Sequence, residues 1–322
     1  MSARRALLTG AGGFVGANLT RRLLTEGHDV HVLLRPGSDG WRLQDIRGAL
    51  AVQESDLRDP EAVRAAVRTA APDWIFHLAA HGAYSWQTDA QGIFESNVLG
   101  TLHLLEACVE RGFEAFVHAG SSSEYGLKDH PPSEEEAPEP NSSYAVAKVA
   151  ATMLCRQRAV QHGLHVATLR LYSVYGPWED PRRLVPALVV HGLRGELPPL
   201  VAPDTARDFV QVEDACEAFL LTAATPVAGS NGIYNVGSGV QTTLRELVNV
   251  VRRELNVSVE PQWGSHDPRT WDTNTWVADP ARMARELDWQ PHRRLERGIR
   301  DFADWLLASS ELRERYGHND TS

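Results

Sequence analysis

Residues 5–16 read Arg5-Ala6-Leu7-Leu8-Thr9-Gly10-Ala11-Gly12-Gly13-Phe14-Val15-Gly16. The apolar run 5–9 has the length of a short strand and stops at a glycine. A helical pattern follows from Ala17 to Glu26, then a second apolar run from Val30 to Leu34. Glycines recur at 10, 13 and 16. In a strand–turn–helix unit, Gly10 permits the tight turn, Gly13 permits close approach of a pyrophosphate, and Gly16 lets helix and strand pack closely. The helix N-terminus then offers free N–H groups and the positive end of its dipole to the phosphates. Glycine spacing alone is a weak signal. The strand before, the helix after and the second strand at the right distance make this a dinucleotide-binding pattern, with Phe14 and Val15 inside the turn.

Outward from that turn, apolar runs recur at Leu50–Gln53, Trp74–Ala79, Ala115–Ala119 and Val166–Leu171, with a helical pattern at Pro60–Ala70. Most are apolar at nearly every position, as strands of a parallel sheet are when helices cover both faces. Between the fourth and fifth runs, Val98, Leu102, Leu105 and Val109 follow helical 3–4 spacing. This alternation predicts an α/β fold, a Rossmann-like doubly wound parallel sheet with right-handed crossovers. After residue 172 the alternation weakens, and tryptophan, proline and polar loops increase. We assign 1–171 to an NAD(P)-binding Rossmann domain. Residues 172–322 are assigned mainly to a smaller substrate-binding α/β domain, with some segments returning to the first. The Pro- and Glu-rich stretch Lys128–Ser143 is a loop between two motifs and is placed to shape the site.

Composition narrows the class. The 322 residues are 43% hydrophobic and 23% charged, which excludes a disordered chain. No run approaches the ~18 apolar residues of a membrane span, and Met1–Leu8 lacks a secretory apolar segment. Lys and Arg number 32 against 42 Asp and Glu, a formal charge of −10. Such a surface repels nucleic acid and anionic membrane, so neither is an expected partner. An anionic small ligand must instead meet a local gathering of Arg, Lys and helix N-termini. Cys108, Cys155 and Cys216 have no Cys or His at ligand spacing. They read as buried thiols in a reducing, cytoplasmic setting, with no metal site.

The tip of the second strand, Val32-Leu33-Leu34-Arg35-Pro36-Gly37-Ser38, lacks the carboxylate that binds a ribose 2′-OH in NAD sites. Leu34 stands in its place. Arg35 can pair with a 2′-phosphate and Ser38 can add a hydrogen bond, which favours NADP(H). The alternative is NAD(H), with Arg35 on the adenine or in solvent. Tyr144-Ala145-Val146-Ala147-Lys148 puts a phenol and an ammonium on one helix face. The ammonium is expected to lower the Tyr144 pKa towards neutrality and make it an acid or base for a hydroxyl/carbonyl pair. Gly120-Ser121-Ser122-Ser123-Glu124-Tyr125-Gly126 follows the fifth run, at a strand end where ligands bind, so a serine there can hold the substrate oxygen. Asn97 is read as opening the preceding helix, as a cap, a site residue or both.

Together these residues resemble the extended short-chain dehydrogenase/reductase family of nucleotide-sugar epimerases, dehydratases and reductases. The resemblance rests on the glycine turn, Asp56-Leu57, His77-Leu78-Ala79-Ala80, Asn97-Val98-Leu99-Gly100-Thr101, the serine run and Tyr144…Lys148. It continues through Val174-Tyr175-Gly176-Pro177, Arg207-Asp208-Phe209-Val210 and Tyr234-Asn235-Val236-Gly237. It implies that Asp56 and Leu57 lie near the adenine, that Leu78, Ala79, Ala80, Asn97 and Tyr172 line the cofactor, and that Tyr144 is the acid/base. It places Lys148 on the nicotinamide ribose, Ser121 as the catalytic serine, and Ser122, Ser123 and Ser173 towards the substrate. It implies that Arg207 and Arg269 hold the substrate diphosphate. Trp178, Trp263, Trp271 and Trp276 are open between stacking on ligand and packing, and His81, Tyr84 and Trp86 are expected near the sugar.

Dehydratases of this family carry an Asp-Glu pair after the catalytic hydroxyl. Here Ser122 and Ser123 occupy those positions, which disfavours water elimination. The C-terminal half looks similar to 4-ketoreductases of the CDP-abequose synthase type. The leading expectation is therefore an NADPH-dependent reductase of a nucleotide-linked 4-keto sugar. A nucleotide-sugar 4-epimerase with bound NAD is the alternative, and a non-catalytic NADP(H) redox sensor a remoter one. The resemblance also implies a homodimer through the helix after Gln91 and the helix of Tyr144.

Overall fold

The computed structural model describes residues 2–84, 86–226, 232–265 and 273–317. A seven-stranded sheet forms the larger layer, in spatial order β3-β2-β1-β4-β5-β6-β9. Its strands are β1 (Arg5–Thr9), β2 (Asp29–Leu34), β3 (Ala51–Glu54), β4 (Trp74–His77), β5 (Ala115–Ser121), β6 (Val166–Leu171) and β9 (Ile233–Val236). Every pairing in it is parallel. The expected doubly wound α/β sheet is present.

Both faces are buried because helices cover both. On one face Ala6, Leu8, Val32, Phe76 and Leu169 pack with α1 (Phe14–Thr25) and α7 (Val212–Ala224). On the other, Leu7, Ile75, Phe116 and Val166 pack with α2 (Pro60–Ala70), α4 (Gly100–Arg111) and α5 (Ser143–His162). Cys108, Cys155 and Cys216 are buried free thiols, as read from their neighbours.

The helix before β5 differs from expectation. It starts upstream as α3 (Ala90–Phe94), widens into a π-turn over Glu95–Leu99 and continues as α4. Asn97 therefore does not open a helix; it lies buried inside the π-turn. The extra residue in that turn also rotates the buried face. Thr101, Leu104, Leu105 and Cys108 face inward, and of the expected row only Leu105 is fully buried.

A second core gathers α6 (Leu184–Leu193), α8 (Leu244–Leu255), α10 (Leu295–Leu307) and α11 (Ser310–Gly317) around Leu188, Leu247, Val251, Ile299 and Phe302. Beside it lies a three-stranded sheet in the order β10-β8-β7, from β10 (Gln241–Thr243), β8 (Ala206–Gln211) and β7 (Ser173–Tyr175). The segments that return to the first layer are α7, β9 and α9 (Ala281–Leu287). Among the described residues, no helix is long and apolar enough to cross a membrane.

Glu124 is fully buried, and its carboxylate accepts from the Ser121 main-chain N–H (2.9 Å), the Thr152 hydroxyl (3.1 Å) and Arg170 Nε (2.9 Å). Burial holds its pKa above the usual carboxylate range, against the pull of Arg170. Removing one member of a buried pair strands the other charge. Glu124→Ala is expected to lower unfolding free energy by about 3–5 kcal/mol, read by chemical denaturation. A loss below about 1 kcal/mol would mean that the pair is replaceable.

Candidate active site

The glycine turn has the shape its spacing predicts. Gly10 has φ +72°, and a Cβ there would stand 2.5 Å from the Leu78 carbonyl carbon and the Ala79 nitrogen. A Cβ on Gly16 would stand 2.2 Å from the Gly10 oxygen. Helix α1 starts at Phe14 with no side-chain cap and no acidic residue in its first turn. Its free N–H groups and dipole suit an anion. These features fit a dinucleotide pyrophosphate. Leu78 and Ala79, half-buried, and the exposed Ala80 continue from β4 beside this turn.

On the adenine side, Arg58 grips Asp56 through Nε and Nη2 (3.0, 3.1 and 2.6 Å), and that contact holds Asp56 below its usual pKa. Asp56, Arg58, Asp59, Glu95 and Leu99 line a surface cleft of about 480 Å³. Leu57 packs against Gly100. Arg35 and Ser38 are exposed beyond β2, and the Arg35 charge reaches Asp56. Sequence reasoning missed Arg42. Its Nη1 donates to the Gly12 carbonyl at 3.3 Å, on the phosphate turn, and its Nε to the Trp178 carbonyl at 2.6 Å. No local pattern marks it, since only the fold brings it to Gly12.

Ser121 ends β5 and caps the short 3₁₀ turn Ser122–Tyr125 through a hydrogen bond from the Ser123 N–H, 3.2 Å. Tyr144 and Lys148 stand on α5. Desolvation pushes the Tyr144 phenol up to about 12, outweighing the downward pull of the Ser121 side chain and of the Arg183 charge. The expected drop towards neutrality is therefore not found. The buried Lys148 ammonium points at the Ala119 carbonyl (2.8 Å) and sits 6.0 Å from the centre of the Tyr144 ring. Burial pulls Lys148 itself down to about 8.

The loop after β4 closes on Tyr144. A Cβ on Gly82 would lie 3.4 Å from the Tyr144 ring. The Asn97 side chain holds the His81 backbone at both its N–H (2.8 Å) and its carbonyl (2.7 Å). Tyr84 and Trp86 stack at 4.5 Å, with Arg182 4.0 Å over Trp86 and Arg183 5.8 Å over Tyr84. Arg183, absent from the sequence reading, thus belongs to the same wall.

On the substrate side, Trp276 Nε1–H donates to Ser122 Oγ at 3.2 Å, and Arg207 lies 5.5 Å from the Trp276 ring. Sequence left Trp276 open, and the fold joins it to the serine run. Lys128, His130 and Glu139 of the predicted loop face Thr273–Thr275 across a cleft of about 750 Å³. Trp178 instead packs with Trp41 and Trp305, and Trp263 packs against the second core. Ser173 is half-buried on β7. The Tyr172 hydroxyl is buried, under the influence of Tyr125, Asp208, Arg170 and Glu134. Arg269 and Trp271 lie outside the described residues.

Comparison with known proteins agrees with this geometry. Residues 6–237 match the family model of the NAD dependent epimerase/dehydratase family. UDP-glucose 4-epimerase of Mycolicibacterium smegmatis is 31% identical, over 95% of this chain and 100% of that protein. dTDP-glucose 4,6-dehydratase of Streptomyces antibioticus is 29% identical, over 93% and 91%. The crystal structure of Thermus thermophilus UDP-glucose 4-epimerase with NAD superposes with a TM-score of 0.83 at 31% identity, covering 94% of this chain and 99% of that one. The chain belongs to the NAD-dependent epimerase/dehydratase family, the extended short-chain dehydrogenase/reductases, enzymes acting on nucleotide sugars.

Proposed function

We propose that this chain is a nucleotide-sugar 4-epimerase whose proton-transfer group is Tyr144. The carrying observation is the convergence of Ser121, Tyr144 and Lys148 with two serines, not carboxylates, after Ser121. Full-length likeness to an epimerase supports it. A nicotinamide dinucleotide, when bound, supplies the hydride acceptor and donor. The glycine turn and the α1 N-terminus hold its pyrophosphate, Asp56 and Leu57 border the adenine, and Leu78–Ala80 wall the strand side. Ser121 holds the sugar O4. Tyr144 takes the O4 proton as the alcohol becomes a ketone and returns it afterwards. Lys148 and Arg183 counter the phenolate charge that forms meanwhile. Arg207 and Trp276 meet the nucleotide diphosphate and sugar, with Ser122, Ser123 and Ser173 on the substrate side. Tyr144→Phe is expected to keep dinucleotide binding and cut turnover about 100- to 10,000-fold. Unchanged turnover would end the proposal.

One observation favours a second reading, an NADPH-dependent 4-ketoreductase. Arg35 is exposed beyond β2, Arg42 reaches the phosphate turn at Gly12, and neither forms an ion pair among the described residues. Two guanidiniums without a carboxylate partner suit a 2′-phosphate. Dinucleotide released by denaturing purified protein separates the readings. Near-stoichiometric NAD that survives dialysis is expected for the epimerase. Empty sites with an NADPH preference would favour the reductase.

Phe94, Leu99 and Val146 are exposed on the outer faces of the packed helices α3–α4 and α5. A second copy would cover them, giving a homodimer. Sedimentation at twice the 35.6 kDa chain mass is expected, and a monomer at micromolar concentration would contradict it. The buried free thiols fit a reducing cytoplasm.

A further inference from the structure

His77 is fully buried at the end of β4, directly before Leu78-Ala79-Ala80. Its Nδ1 lies 2.6 Å from Thr9 Oγ1, at the start of the phosphate turn. Its Nε2 lies 2.8 Å from Thr101 Oγ1, on α4. The proton positions follow from the neighbours. The Thr101 hydroxyl donates to the Asn97 carbonyl at 2.6 Å. With that proton committed, Thr101 can only accept from His77, so Nε2 carries hydrogen. Thr9 Oγ1 already accepts the Ala79 N–H at 3.3 Å. Its own hydrogen then donates to Nδ1, unless the ring is doubly protonated. A double proton would bury a cation with no carboxylate among its named partners and with the Lys148 charge nearby.

We propose that His77 is a positioning residue, a neutral imidazole protonated only on Nε2, which joins the phosphate turn to the π-turn and so fixes the segment Leu78–Gly82. The path is continuous. From Ala79 N–H it runs through Thr9, His77 and Thr101 to the Asn97 carbonyl, and the Asn97 side chain grips both polar groups of the His81 backbone. The segment is thus held at Leu78 and Ala79 by Thr9, and at His81 by Asn97. At its far end, Gly82, whose N–H donates to Gln87 Oε1 at 2.9 Å, the segment reaches the Tyr144 ring. The low pKa of His77, about 3 from burial and the Lys148 charge, accords with a neutral ring.

The functional consequence rests on the reading of Leu78–Ala80 as the dinucleotide wall. Ser121, Tyr144 and Lys148 stand on β5 and α5, outside the path. Loosening it should therefore weaken dinucleotide binding and leave turnover at saturation within about threefold. Losing one buried hydrogen bond corresponds to about a tenfold rise in dinucleotide Kd. Thr101→Val keeps the shape and removes the acceptor, and Thr101→Ser restores it.

The test has two parts. On ¹⁵N-histidine-labelled wild-type protein, nitrogen-detected NMR should show His77 with a protonated Nε2 and a bare Nδ1 at neutral pH. His77→Gln, which loses this signal, identifies it. A hydrogen on Nδ1 overturns the assignment whether or not the protein binds a dinucleotide. Kd for NAD and NADPH is then measured on wild type, Thr101→Val and Thr101→Ser. A Thr101→Val Kd raised about tenfold and recovered by Thr101→Ser, with kcat little changed, supports the positioning role. Equal Kd in all three overturns it. A wild type that binds neither dinucleotide overturns instead the reading of the wall, since the NMR result stands apart from it.

Discussion

A single buried carboxylate joins the elements that carry the candidate chemistry. Glu124 takes hydrogen bonds from the Ser121 main chain on β5, from Thr152 on α5 and from Arg170 on β6. Ser121 is thereby set against the helix that presents Tyr144 and Lys148. An unpartnered carboxylate there would be too costly to keep, so the three elements must stay in register for Glu124 to be tolerated. Arg170 in turn stacks over Tyr125, whose hydroxyl donates to Asn235 on β9. Asn235 donates to Glu134 and Pro132 of the loop beside the cleft that faces Thr273–Thr275. The anchor of the chemistry is therefore also an anchor of that cleft.

The frame around Glu124 raises a cost that the chemistry has to overcome. Burial makes charge on Tyr144 unfavourable and pulls Lys148 down towards 8. A phenol with a pKa near 12 keeps its proton in the resting site, which suits the acid role proposed for Tyr144. The proposed base role depends on positive charge beside the phenol when the proton leaves. Lys148 directs its ammonium at the Ala119 carbonyl, and Arg183 comes from the loop before α6. The rise and its remedy thus come from different parts of the chain.

What could be read in the sequence follows from how local each feature is. The glycine turn is a backbone requirement within a few residues, and Gly10 and Gly16 meet it as predicted. Strands buried on both faces declare themselves by composition, so β1 to β6 were legible to within a residue or two. β9 was not, because four residues with an internal asparagine resemble a loop until β6 pairs with them. Asn97 was misplaced because the π-turn has no sequence signature; it depends on Thr101 and on the His81 backbone across the chain. Arg42 and Arg183 were invisible, and Trp276 was left open, for the same reason. Each acquires meaning only through a partner over a hundred residues away or across an irregular loop.

The site therefore has two halves built by different means. The half proposed for the dinucleotide is mostly main chain: a glycine turn, a helix N-terminus and a segment whose N–H groups donate to Thr9 and whose His81 backbone is held by Asn97. Main-chain geometry is indifferent to most side-chain changes, so such a half tolerates drift in sequence. The substrate half is side chains borrowed from distant elements, Trp276 on Ser122 and the Lys128 loop opposite Thr273–Thr275. There a single replacement changes what the pocket accepts or which proton moves. In the proposed reading, serines at 122 and 123 leave Tyr144 as the one proton-transfer group beside O4, which suits oxidising and re-reducing a carbinol and offers no partner for expelling water. A frame shared with both epimerases and dehydratases is consistent with that division. The reaction is set by a few side chains at the rim, on a frame whose charges and hydrogen bonds are already committed.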